Sequence, residues 1–255
     1  MKTQGVKLGI LVFFCMLFVG TVARAGWVLT ESDGGTTTIA DGKMKSFSEG
    51  GGVIMDGPKN RIVFIDQASR RYGEGTPEEY CSAITSVFEA AMQRMPPEMR
   101  QMMQSQGGAS GKVTVRKKGA GGTVAGFKTE RYEVSVGGKK YEEIWLSRDK
   151  RIMKDYKKLI PVFKKFSACS AKIGFGSAHR PEGSPEYLKI LDRGIIVKSV
   201  SYQGGQEEPD YQGGQEKPDT DVMRLEEKTV PASAFQLPPG YRKVSFSEFF
   251  GGGMQ

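Results

Sequence analysis

The chain has 255 residues, a formal net charge of +8, one histidine, three cysteines and 34 glycines. That length fits one large domain or two small ones, and a glycine content near double the usual ~7% predicts many turns without reaching a fibrous or disordered composition. One histidine, His179, and two cysteines beyond the leader supply too few ligands for a zinc site and no Ser/His/Asp or Cys/His pair, so neither metal, cofactor nor enzymatic chemistry is expected.

Residues 1–25 read as a secretory signal peptide. Lys2 and Lys7 form a positive start, Leu8 to Val19 an apolar run interrupted by Gly9, and Ala23-Arg24-Ala25 a small-x-small cleavage site before Gly26. The apolar run is shorter than the ~20 residues a membrane span needs. Cleavage removes Lys2, Lys7 and Arg24, which leaves 34 basic against 29 acidic residues, a charge of +5. Such mild basicity does not predict nucleic-acid binding. The expected location is the periplasm, an oxidising compartment in which Cys81 and Cys169 remain as an even pair for a disulfide once Cys15 is removed.

From Trp27 to about Arg71 the chain reads as short strands separated by Asp33-Gly34-Gly35, Asp41-Gly42 and Asp56-Gly57-Pro58, the pattern of an antiparallel meander. Thr76-Pro77-Glu78-Glu79 then carries three agreeing helix-start signals: a Thr cap, Pro at the first position and Glu at the third to complete a capping box. Tyr80, Ile84, Val87, Phe88, Ala91, Met92 and Met95 follow at helical spacing until Pro96-Pro97 ends or kinks the element, and Met99, Met102 and Met103 continue the apolar theme.

The clearest strand signal alternates Tyr132, Val134 and Val136 with Arg131, Glu133 and Ser135, turns at Gly137-Gly138 and returns over Tyr141 to Ser147. A second helical region places Ile152, Tyr156, Leu159, Ile160, Phe163 and Phe166 on one face and Lys154, Lys157, Lys158, Lys164 and Lys165 on the remainder, with a kink expected at Pro161. A short helix near Pro185 to Leu191 follows, and then Ile195 to Tyr202 and Val222 to Thr229 read as a last hairpin pair. Between them Tyr202 to Asp210 is repeated as Tyr211 to Asp219, a tandem nonapeptide that reads as a duplicated solvent loop over 202–219. Residues 26–246 are expected to form a single domain and 247–255 a flexible tail. The glycine strings Gly50-Gly51-Gly52 and Gly119 to Gly122 match no phosphate-binding pattern and read as turns.

Five phrases occur in order: Gly42-Lys43-Met44-Lys45, Ile62 to Asp66, Thr123 to Tyr132, Glu143 to Ser147 and Val230 to Tyr241. Together they resemble a bacterial envelope family, domain of unknown function 4412, which is grouped with the LolA-like lipoprotein-carrier fold. Two departures stand out: Thr129 occupies a position where relatives often carry Cys, and the nonapeptide duplication is a local insertion. The resemblance implies an α+β protein in which a curved antiparallel sheet forms an unclosed half-barrel and helices cover its concave face. The residues agree, because many short strands need a cover for their apolar sides and two long apolar-faced helical regions are available.

The expected function is non-catalytic binding of an apolar ligand, or of a lipidated or other envelope partner, within that half-barrel. Its candidate lining is Val87, Phe88, Met92, Met95, Leu159, Ile160, Phe163 and Phe166, with the unbranched Met side chains able to adapt to an irregular apolar shape. The five lysines of the second helical region are the candidate contact with a membrane surface. The alternative is a structural or protein-interaction module with a fully packed core. Adjacent carboxylates Glu142-Glu143 and Glu78-Glu79 are assigned no catalysis, since the first two project to opposite sides of a strand and the second two serve a helix start.

Overall fold

The computed structural model describes residues 24–32, 34–48, 50–105, 111–170, 181–203, 206–207 and 220–251. Residues 1–23, His179 and most of the tandem nonapeptide lie outside the described residues. β1 (Arg24–Glu31), β2 (Thr36–Ala40), β3 (Lys43–Ser48), β4 (Gly51–Asp56) and β5 (Arg61–Asp66) form the expected antiparallel meander. Asp41 and Gly42 both take positive φ, as a two-residue hairpin turn with the right twist demands. A further strand, β6 (Arg71–Gly75), extends the meander.

α1 (Pro77–Arg94) begins as its sequence dictates. The Thr76 hydroxyl accepts from the Glu79 N–H, and the Glu79 carboxylate accepts from the Thr76 N–H at 2.7 Å. Thr76→Ala removes the hydroxyl half of this reciprocal cap, leaving the residue-76 N–H to Glu79, and is expected to cost about 1 kcal/mol, read as a lower urea midpoint with unchanged slope. The helix ends before Pro96, and α2 (Pro97–Ser105) starts anew.

β7 (Val113–Val124), β8 (Phe127–Val136) and β9 (Lys139–Ser147) build the second half of the sheet, with Gly137 and Gly138 at positive φ in the turn. The second helical region is two helices rather than one kinked helix: α3 (Lys150–Tyr156) and α4 (Ile160–Ser170). The break falls at Lys157 to Leu159, so Pro161 sits in the first turn of α4, where its missing N–H leaves no bond unmade. α5 (Pro185–Leu191) is capped by the Ser184 hydroxyl.

β10 (Ile195–Gln203), β11 (Gln206–Glu207) and β12 (Thr220–Val230) complete this part, and here the expected last hairpin needs correction. β10 meets β12 only at Lys198/Asp221 and Ser199/Thr220. β12 pairs instead with β1 from Val222 to Val230, where long-range apolar burial of Leu29 against Leu225 sets the partner. Where a tail is expected from residue 247, residues 247–251 are helical and 252–255 lie outside the described residues. β13 (Arg242–Val244) runs parallel to β6, and α6 (Phe246–Gly251) follows it, held by Phe246 against Phe64 and Tyr80.

The strand order is β13-β6-β5-β4-β3-β2-β1-β12-β10-β9-β8-β7, with β11 beside β10, and the sheet does not close. All pairings but β13 with β6 are antiparallel, so the molecule is α+β with one large open sheet and few helices. Alternate residues serve opposite sides. Ile39, Met55 and Ile62 enter a core with Ile152, Tyr156, Leu159 and Ile160 of α3 and α4. Their neighbours Ala40, Ile54 and Val63 pack with Val230 at the end of β12 and with Phe235, Leu237 and Tyr241 in the segment that follows it. α5 closes a third cluster through Tyr187 and Ile190 against Tyr132, Val134, Ile144 and Leu146.

Gly50 lies in a turn as expected, but the other glycines of the two strings lie in strands. Gly51 and Gly52 belong to β4, where a side chain on Gly51 would run into the Ile65 carbonyl. Gly119 and Gly122 have positive φ at the two irregularities of β7, the backbone geometry that bulges require.

Candidate functional site

The eight candidate lining residues are divided between the core and the surface of α1. Leu159 is fully buried and Ile160 nearly so, both within the core between sheet and helices, and Phe163 and Phe166 pack against that core. Phe88 and Met92 are half-buried on α1. Val87 and Met95 alone of the eight line an open groove of ≈ 510 Å³. Leu159 and Ile160 therefore serve the packing of α3 and α4 on the sheet.

The groove lies where α1, α2 and α6 meet. Val87, Ala90, Ala91, Arg94 and Met95 come from α1, Pro96 from the break, Met99 from α2, and Ser247, Glu248 and Gly251 from α6. The α1 residues fall at three- and four-residue spacing and so share one helix face. Earlier on α1, Tyr80, Ala83 and Ile84 are covered by Phe64, Phe166, Phe246 and Phe250. The apolar stripe of α1 thus continues past its aromatic cover, and small Ala90 and Ala91 leave room above it. Met99, at 48% exposure, forms part of the open wall.

Three features fix this corner. A disulfide joins Cys81 of α1 to Cys169 of α4, with Cα atoms 5.6 Å apart. Lys165 of α4 reaches Glu78 at the start of α1 at 2.7 Å, and that hydrogen bond is the main reason the Glu78 carboxyl lies below its ordinary pKa. The third is the ring cluster around Phe64, with Tyr80 stacked at 5.1 Å and Phe250 edge-on at 5.2 Å. Ala90, Ala91 and Pro96 are not among the expected ligand-contacting residues, whereas Met99 belongs to the methionine series that could cover an acyl chain. The groove exists because α6 covers one part of α1, and that placement has no signature in the α1 sequence.

The candidate membrane-facing lysines are partly committed elsewhere. Lys158 binds Asp41 at 3.0 Å and through that bond lowers the Asp41 pKa, while Lys164 binds Asp192 at 2.6 Å and Lys165 binds Glu78. Lys154 and Lys157 are exposed. Lys158 also fits between two tight turns: a side chain on Gly57 would meet its carbonyl oxygen, and one on Gly42 its Cβ. These contacts seat the turn between α3 and α4 on the sheet.

A second depression, ≈ 440 Å³, is bordered by Phe127 to Glu130, Leu146, Arg148 and Asp149. Arg148 pairs with Glu130 at 3.5 Å and Asp149 with Arg151 at 2.8 Å, and Lys128 is exposed at its edge. The adjacent carboxylates Glu142 and Glu143 do diverge. Tyr187 donates to Glu142 at 3.0 Å, and Tyr202 donates to Glu143 at 3.3 Å. Burial, then the Glu142 charge, pushes the Tyr187 phenol pKa up, which keeps it a neutral donor. Among the described residues no group of three or more His, Cys, Asp or Glu is placed to hold a metal ion, and no helix is long and apolar enough to cross a membrane. The chain matches no protein-family model and no curated protein.

Proposed function

We propose that the protein is a non-catalytic binding protein of the periplasm, of LolA-like half-barrel build, that takes an apolar ligand in the groove between α1, α2 and α6. The observation that carries this reading is the groove itself: an open trough floored by an apolar helix face and walled by Met95 and Met99. Unbranched thioether side chains adapt to chains of varied shape. The volume lies within the ~300–1,000 Å³ of small-molecule sites. The α3–α4 cover acts in this reading as packed scaffold.

A neutral fluorescent probe, N-phenyl-1-naphthylamine, is expected to bind the full exported protein. Ala90→Phe, at an exposed helical position, should fill the trough and weaken probe binding about ten-fold while moving Tm by less than about 2 °C. A wild-type protein that leaves the probe dark overturns the reading. The packed core beneath α3 and α4 favours the alternative of an interaction module without a ligand, which that outcome would leave standing.

A further inference from the structure

We propose, resting on the groove as the apolar-ligand site, that its natural ligand is a single-chain amphiphile with a carboxylate head, which Arg94 receives. Two charged side chains border the trough, one on α6 and one on α1, and their charges are settled differently. On α6, Glu248 contributes a carboxylate, but it is held by Arg242 at 3.0 Å, so it adds no net negative charge at the wall. On α1, Arg94 is exposed at the last turn and has no acidic partner among the described residues. The one unmatched charge on the groove is therefore positive.

Its position gives the ligand a direction. Val87, where Gly251 of α6 comes closest, and Arg94 are seven residues apart on one face of α1, ~10.5 Å at 1.5 Å per residue. Between them the floor is Ala90 and Ala91, without a polar group to interrupt an extended hydrocarbon. A ligand that is apolar along this length and anionic at the Arg94 end satisfies both. A planar guanidinium receives a carboxylate through two parallel hydrogen bonds, which gives the head a fixed orientation. The charge at the end of a helix is ordinarily a solvated partner of the helix dipole, and the test separates that role from recognition.

The full protein is titrated with cis-parinaric acid and with its methyl ester, which share a chain and differ in head charge. The wild type is expected to prefer the acid, and Arg94→Gln to reduce the acid-over-ester ratio about ten-fold, with Arg94→Lys keeping part of the preference. Circular dichroism verifies that both variants are folded. An acid-over-ester ratio near one in the wild type, or one unchanged by Arg94→Gln, overturns the amphiphile inference while the ester's binding upholds the groove. Binding of neither compound overturns the groove reading and this inference together. Displacement of the ester by an amphipathic helical peptide but not by laurate assigns the site to a protein partner and overturns it as well.

Discussion

Replacing Cys81 and Cys169 together by alanine is expected to lower the unfolding free energy by about 4–5 kcal/mol. The bridge closes a sequence separation of 88 residues, and the chain-entropy account of cross-links gives this magnitude for such a loop. The location sharpens the expectation. Of the described α1 residues only Pro77 and Tyr80 are buried, so the apolar contacts holding it are few for an 18-residue helix. Without the tether, α1 should open before the sheet does, and the groove should go with it. Thermal melts of the double variant should show a Tm fall on the order of 10 °C. Amide exchange should rise in α1 more than in β2 and β1, which are central in the sheet. An unchanged melt after reduction and alkylation of both thiols would contradict the tether's role.

Local chemistry made part of this architecture readable in advance. The capping box at Thr76 needs only four residues to specify, and α1 starts there. The Gly137-Gly138 turn with alternating flanks fixes β8 and β9 because register follows from the turn. β6 was illegible for the opposite reason. Arg71-Tyr72-Gly73-Glu74-Gly75 has two glycines in five residues, a poor strand by propensity. Those glycines are required by a residue far along the chain: side chains there would meet the Phe246 ring within 3 Å. The pairing of β1 with β12 is likewise a contact between distant segments, invisible to any window of neighbouring residues. The site followed the same division. Sequence identified α1 and Met95 as apolar and adaptable, but large residues drew the reading toward Phe88, Phe163 and Phe166. The open space instead sits over Ala90 and Ala91, where side chains are too small to announce themselves.

The second large effect separates scaffold from site. Leu159→Ala is expected to destabilise the protein by about 3–5 kcal/mol, because Leu159 has 0% exposure and sits among Ile152, Tyr156, Ile160 and the sheet residues Ile39, Met55 and Ile62. Large-to-small changes in such a core lose both the transfer energy of the removed atoms and the contacts around the void. Collapse around the void is restrained here. The turn bearing Leu159 rests on Gly57 and Gly42 with no room to approach further, and the Lys158–Asp41 pair holds it laterally. The upper half of the range is therefore the better expectation, a Tm fall on the order of 10–15 °C. Probe affinity, measured well below the new Tm, should stay within about two-fold of wild type, since Leu159 is not a groove residue. A variant with near-normal stability and lost probe binding would place the ligand beneath α3 and α4. That result would return the binding site to the eight-residue lining expected from sequence and remove the α1–α2–α6 groove from consideration.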